Sequence, residues 1–405
     1  MIRKVSVEEL RPGMEVVRLS SEVWEHLPFL YTRPGVIESS SEVEDIRAQG
    51  YLHAFIQVGE GGEVMDRRLD GLVAGPDGTA VEVPPPRPRV PFEQEMEVAR
   101  VTYDKAMHHA KRIIHDVKLG RKVDYEASVE TVDAIVNSAI RNPDTLLCLS
   151  KLSDYDDYTY AHCINVAAIA VVFGEYLGLG REELVRLGLA GMMHDLGKTA
   201  VPSRIINKRA RLTETEFAEV KRHPEYGCDI LARQGEVTDD VLEAVRDHHE
   251  KFNGSGYPER LTSRDIAPYA RIISLADVYD ALTSDRSYKD AILPNKALAI
   301  MYGMRGQDFD PVEVQRFIKC LGIFPSGSLV RLNTGFYGVV YESNPSLPLM
   351  PKIKIILDED LRPIPAELVD LAAAQALGNR DLEILECADP ASYRLNLRPY
   401  LTRKG

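Results

Sequence analysis

Tryptophan occurs once in 405 residues, at Trp24, and cysteine only five times, at Cys148, Cys163, Cys228, Cys320 and Cys387, without paired spacing. That scatter excludes a disulfide framework and a thiolate zinc site, and it predicts free thiols in a reducing cytoplasm. No run of about 20 apolar residues is present, so no membrane-spanning helix is expected. The opening MIRKVSVEELRPGMEV is charged within its first few residues and lacks the apolar stretch a signal peptide needs. A basic surplus is missing too: 62 acidic residues outnumber 49 Lys and Arg, for a net charge of -13. That balance argues against an extended nucleic-acid surface, which needs clustered cations, and leaves room for local binding of a small anion.

What is there falls into distinct stretches. Residues 1–75 alternate short β-like runs, MEVVRLS and HAFIQVG, with turn signals, which predicts a small α+β N-terminal domain. Residues 76–91 form a Pro-rich linker ending in VPPPRPRVP, where proline blocks both helix and central strand. Over 92–152 two linking helices are expected. Met96, Ala99, Tyr103, Met107, Ala110, Ile114 and Val117 share one stripe of the first, which Gly120 ends. Val129, Val132, Val136 and Ala139 face inward from the second, which stops near Pro143. The first stripe suits a homodimer through helix 93–119 or an interface within the chain. Residues 153–322 read as helices joined by short turns, and 323–405, with SLVRL, FYGVVYE and KIKIIL, as a small β-rich C-terminal appendage. The fold class expected is therefore mainly α. His108, His109 and His115 are read as solvated or interface groups, and Trp24, His26 and His53 as packing or surface residues.

Five of the ten histidines lie in the helical stretch 153–322. MMHDLGKTAVP, residues 192–202, sets His194 and Asp195 into otherwise apolar sequence. An unpaired buried carboxylate is far costlier than any packing gain, and a bound cation removes the objection. His162, His194, Asp195, His223, His248, His249 and Asp277 are the candidate ligands, with Lys198 one helical turn beyond His194 and Asp195. Imidazole and carboxylate together suit divalent Mn, Fe or Zn. Seven such groups exceed what one ion usually takes, so a two-metal site is expected, one whose ions activate a bridging hydroxide and clamp a phosphoryl oxygen for phosphoester hydrolysis.

YDDYTYAHCINVAAIA, HDLGK, HPEYGCDIL, DHHEKFNGSGYP and LADVYDALTSDRSYK occur in that order over roughly 140 residues, and together they resemble the HD-GYP domain, a subgroup of the HD-superfamily metal phosphohydrolases. The resemblance implies an all-helical HD-type catalytic domain with iron or manganese that hydrolyses cyclic di-GMP to linear pGpG, and in some members on to GMP. By matching, the metal ligands are the seven residues above, with Asp195 bridging. Asp195 and Lys198 serve catalysis, and Lys198, Gly256, Tyr257, Pro258, Arg286 and Lys289 serve substrate binding. Some members carry a Glu four residues before the first His as a ligand to a third metal. Tyr158 stands there, and a phenol ionising near pH 10 is a poor ligand, so two divalent ions are expected. The N-terminal stretch resembles a domain of unknown function often found in front of HD-GYP domains. A receptor that binds the nucleotide without turning it over, and a phosphohydrolase of another nucleotide, are the competing readings.

Overall fold

The structure is a computed structural model that describes residues 2–12, 14–20, 35–37, 43, 53–57, 88–151, 158–208, 210–284, 291–344, 347–377 and 382–402; of 2–5, 15–20, 35–36, 53–57, 158–159 and 402 only the backbone is described. Trp24, His26, Arg286, Lys289 and most of the Pro-rich linker therefore lie outside the described residues, as do the side chains of His53 and Tyr158. The chain forms two compact units, one of residues 1–85, 322–324 and 328–389, the other of 86–321, 325–327 and 390–405.

The first unit holds two antiparallel sheets. In one, β1 (Ile2–Ser6), β2 (Glu15–Ser20), β3 (Gly35–Val36) and β4 (His53–Gln57) take the order β1-β4-β2-β3. In the other, β5 (Leu329–Leu332), β6 (Tyr337–Glu342), β7 (Lys352–Leu357), β8 (Pro363–Asp370) and β9 (Ile384–Ala388) run β8-β7-β6-β5-β9. Strands β6 and β7 are buried almost throughout, which is why YGVVYE and KIKIIL are nearly continuous in apolar residues. Exposed β8 opens on Pro363 and sits at the sheet edge, where the missing N–H breaks no ladder.

The second unit is helical. It begins with α1 (Phe92–Lys118), α2 (Tyr125–Arg141), α3 (Pro143–Lys151), α4 (Tyr158–Tyr176) and α5 (Arg181–Met193). It continues through α6 (Ser203–Ile206), α7 (Glu214–Val220), α8 (His223–Ala232), α9 (Asp239–Asp247), α10 (Pro268–Thr283), α11 (Pro294–Gly303) and α12 (Pro311–Leu321). The mainly α class expected from the sequence holds. Helix α4 is buried on every face from Ala161 to Gly174, as a helix apolar all round must be, and α2, α5 and α10 pack around it. The expected stripe of α1 is buried from Met96 to Ile114, with Val117 half-buried, but α2, α3 and α4 of the same chain cover it. The stripe thus serves an interface within the chain. Helix α2 stops at Arg141, near Pro143 as expected, and Pro143 opens α3; its fixed φ suits a first helical position, and Asn142 makes the corner by accepting from Asp144 N at 3.1 Å and donating to the Val90 carbonyl at 3.0 Å.

No described helix is long and apolar enough to cross a membrane. The five cysteines are free.

Candidate metal centre

The ligand side chains come from α4, α8 and α10 and from the chain just beyond α5 and α9. His162 lies one turn into α4, His194 follows the last residue of α5, His223 opens α8, His248 and His249 follow α9, and Asp277 sits within α10. The spacing had placed His194, Asp195 and Lys198 along one helical face. Instead α5 ends at Met193, Asp195 leaves helical geometry at φ -97° and ψ 4°, and a short 3-10 turn spans Leu196–Thr199. Gly197 in that turn has no room for a side chain: a Cβ would stand 1.9 Å from the His223 carbonyl oxygen and 2.4 Å from Gly227 N. Backbone against backbone, the turn and α8 bring Asp195 and His223 together.

Three rings are aimed by their own chain. Nδ1 of His194, His223 and His248 lies 2.8 Å from the carbonyls of Gly191, Val220 and Val245, each three residues back. A carbonyl only accepts, so Nδ1 carries the proton in all three, and Nε2 presents a bare lone pair. His162 is held through Nδ1 by Asp280 Oδ2 at 2.8 Å. The Nε2 atoms converge. Those of His223 and His248 face each other at 3.3 Å, and with protons fixed on Nδ1 nothing lies between these two acceptors to bond them. His194 Nε2 and Asp195 Oδ1 are buried with no hydrogen-bond partner. A buried acceptor without a donor is expensive, and a divalent cation satisfies all of these atoms at once.

Donor atoms within 4.8 Å of one another form three sets: His223, His248 and His249; His162, His194 and Asp277; and His194, Asp195 and His248. Asp195 stands between the first two. Its Oδ1 is 3.3 Å from His223 Nε2, whereas its Oδ2 is 3.5 Å from His194 Nε2 and 3.8 Å from His162 Nε2. Asp277 Oδ1 is 3.1 Å from His162 Nε2, and its Oδ2 is 4.0 Å from His249 Nδ1. Lys198 Nζ lies 2.5 Å from Asp195 Oδ2, with its side chain 35% exposed, so it reaches the cluster from the solvent side.

Electrostatics follow the same geometry. Burial lowers the imidazoles of His194 and His248, and takes His249 to about 3, so these rings stay neutral and ligand-ready well below neutrality. Burial acts to lower His162 as well, but the Asp277 and Asp280 carboxylates outweigh it and raise the ring to about 9. Asp195 and Asp277 are held below the ordinary carboxylate range: burial pushes both up, and the Lys198 ammonium beside Asp195 and the His162 ring beside Asp277 prevail.

Asp280 and Asn165 belong to this site and were not foreseen. Asp280 Oδ1 accepts from Asn165 Nδ2 at 2.8 Å and from Ser284 Oγ at 3.0 Å, and Tyr103 OH on α1 donates to Asn165 Oδ1. The sequence held a signal: each lies three residues after a ligand, His162 or Asp277, and so on the same helix face.

The loop 253–258 is pinned by Glu250, next to His249. Its buried carboxylate accepts from the backbone N–H of Glu259, Arg260 and Leu261 at 2.6, 2.8 and 3.1 Å. Gly256 is buried beneath the loop, where a Cβ would stand 2.4 Å from Lys251 N, so its bareness serves the loop's own packing. Tyr257, joined to Pro258 by a cis bond, lays its ring 4.9 Å from that of His249. Burial raises its phenol, which stays neutral.

Residues 144–312 match an HD domain, 2–128 a domain of unknown function, and 329–393 a KOW domain associated with the HD domain. The chain is 34% identical over 377 residues to a cyclic di-GMP phosphodiesterase of Pseudomonas aeruginosa, covering 92% of this chain and 90% of that one. It is 40% identical over 182 residues to a cyclic di-GMP phosphodiesterase response regulator of Xanthomonas campestris pv. campestris, covering 44% of this chain and 48% of the relative. Over 162 residues it is 36% identical to a 3′3′-cGAMP-specific phosphodiesterase of Vibrio cholerae, covering 40% and 31%. With the HD match spanning the helices that assemble the donor cluster, and the first relative aligned along nine-tenths of both chains, this protein belongs to the HD-GYP family of HD-domain phosphohydrolases.

Proposed function

We propose that this protein opens cyclic di-GMP to linear pGpG by attack of a water oxygen on phosphorus, in line with the ribose oxygen that departs. The observation that carries the proposal is the convergence of bare imidazole nitrogens around Asp195, with His223 and His248 Nε2 3.3 Å apart and His194 Nε2 unpartnered. His223, His248 and His249 would hold one divalent ion, His162, His194 and Asp277 a second, and Asp195 would give one oxygen to each; iron or manganese suits this donor mixture. Such ions, when bound, lower the pKa of a water to near neutrality and neutralise charge on the phosphoryl oxygens.

The chain's own groups do the rest. Lys198, 2.5 Å from Asp195, presents its remaining ammonium protons to a phosphoryl oxygen as charge builds there. Tyr257 offers a half-exposed ring beside His249 to a guanine, and the Glu250 clasp fixes it before substrate arrives. Pro258 sets the turn that follows Tyr257. Arg286 and Lys289 are assigned to substrate binding by resemblance alone. The count of two ions likewise rests on Tyr158 standing where a third-metal ligand occurs in some relatives. We place the protein in the cytoplasm, where thiols such as half-buried Cys228 stay reduced.

Anaerobically purified protein loaded with Mn²⁺ or Fe²⁺ should consume cyclic di-GMP and release pGpG, with GMP appearing if the second linkage is also cut, as separated by ion-exchange chromatography alongside elemental analysis. Nucleotide that binds but is recovered intact would make the protein a receptor. The Vibrio relative's name favours one further comparison, and faster turnover of 3′3′-cGAMP than of cyclic di-GMP would reassign the substrate.

A further inference from the structure

Beyond the ligand cluster the molecule carries a cation that no described carboxylate neutralises. Lys221 follows the last residue of α7, and Phe217, one turn earlier on the same face, is 49% exposed. The Lys221 ammonium lies 4.8 Å from the Phe217 ring centroid and 5.3 Å from that of Tyr257. Tyr257 in turn stands 4.9 Å from the His249 ring. Phe217, Lys221, Tyr257 and His249 thus form a continuous ledge running from solvent to the metal ligands. The nearest acidic neighbour in sequence is occupied elsewhere: Glu219 accepts from Tyr226 OH at 2.9 Å and pairs with Arg222 at 3.5 Å. In a chain with a net charge of -13, an ammonium held by two aromatic faces at the mouth of a phosphodiester site is placed to meet an anion.

We propose that Phe217 and Lys221 form an outer subsite for the half of a cyclic dinucleotide that lies away from the metal ligands, the ammonium taking the phosphate that is not cleaved and the Phe217 ring lying against the base. This subsite rests on the cyclic-dinucleotide phosphodiesterase reading and adds to it a reason for preferring a substrate with two phosphates over a simple diester. Neither residue lies in the loop 253–258 or among the metal ligands.

Steady-state kinetics of the full chain, Mn²⁺-loaded, on cyclic di-GMP and on bis(p-nitrophenyl) phosphate, which has a single phosphate, test it. Lys221→Met keeps the apolar stem between the two rings and removes the charge. It should raise KM for cyclic di-GMP about tenfold with kcat within about twofold, one charge-assisted hydrogen bond being worth roughly that factor. The ratio of kcat/KM between the two substrates should shift by about the same amount, and Lys221→Arg should restore most of it. Phe217→Ala should raise KM about fivefold through lost stacking. The KM of wild type should climb more steeply with salt than that of Lys221→Met. Equal losses on both substrates, a fall in kcat alone, or an unchanged KM in Lys221→Met would overturn the subsite while leaving the phosphodiesterase reading intact. Wild type that cleaves the nitrophenyl diester and no cyclic dinucleotide would overturn both.

Discussion

Two histidines in the helical unit are both hidden from water and chemically opposite. His109 on α1 is 7% exposed and His194, just beyond α5, is 0% exposed. Around His109 every polar atom is answered: Arg112 donates to Nδ1 at 2.9 Å, Nε2 donates to Ser128 Oγ at 2.9 Å, and Ser128 passes its own proton to the Asp124 carbonyl at 2.7 Å. His108 bonds the Asp104 carbonyl from an exposed position, and His115 is exposed. Around Asp195, by contrast, Nδ1 of His194, His223 and His248 is tied to the protein and Nε2 is left for something the protein does not supply. Burial therefore does not mark a ligand; the unanswered second nitrogen does.

The largest expected effect that sharpens this contrast is at Asp195, which borders both donor sets. Asp195→Ala should lower turnover by at least about 10³-fold and reduce bound metal as read by elemental analysis. His109→Gln, assayed beside it, should retain the full metal content. If Asp195→Ala held as much metal as wild type, the two regions would no longer differ in the way described. The next effect lies one bond further out. Asp280→Asn cannot both receive the His162 Nδ1 proton and accept from Asn165 and Ser284 as a carboxylate does, so metal affinity should weaken by about 10- to 100-fold in competition with a chromogenic chelator.

The smallest effect belongs to His109 itself. Loss of its paired contacts should destabilise His109→Gln by about 1–3 kcal/mol in urea unfolding at pH 7.5. Burial first, and the Arg112 charge second, hold its folded imidazole below 6.5. The unfolded chain therefore binds the extra proton as the pH drops through about 6.5, and wild-type stability falls there relative to a variant that cannot titrate. The advantage of metal-free wild type over His109→Gln should shrink between pH 7.5 and 5.5. A constant difference would mean that His109 takes up its proton as readily in the folded protein as in the unfolded chain.

Much of this was legible in the sequence, for physical reasons that differ by residue. His194 and Asp195 announced themselves because ionisable groups in apolar sequence demand an explanation, whereas His162, His223, His248 and His249 stood out only as a set and through the motifs that match the family. The end of α5 at Met193 was not legible, since the apolar pattern of GMMHDLG runs through it and only the contact of Gly197 with the His223 carbonyl shows why the chain turns. Asp280 and Asn165 were hidden because an acid or amide within a helix usually faces solvent, and only tertiary packing turns them onto His162. Lys221 carries no signal in the sequence, because Tyr257, 36 positions away, lies beside it only in the fold.

The carbonyls three residues behind His194, His223 and His248 carry a consequence for how such a centre is built. Bearing and protonation state are decided within four-residue segments, so long-range assembly has only to gather rings that already point correctly. A segment of this kind keeps its aim wherever a helix end is kept, and loses it when that last turn unwinds.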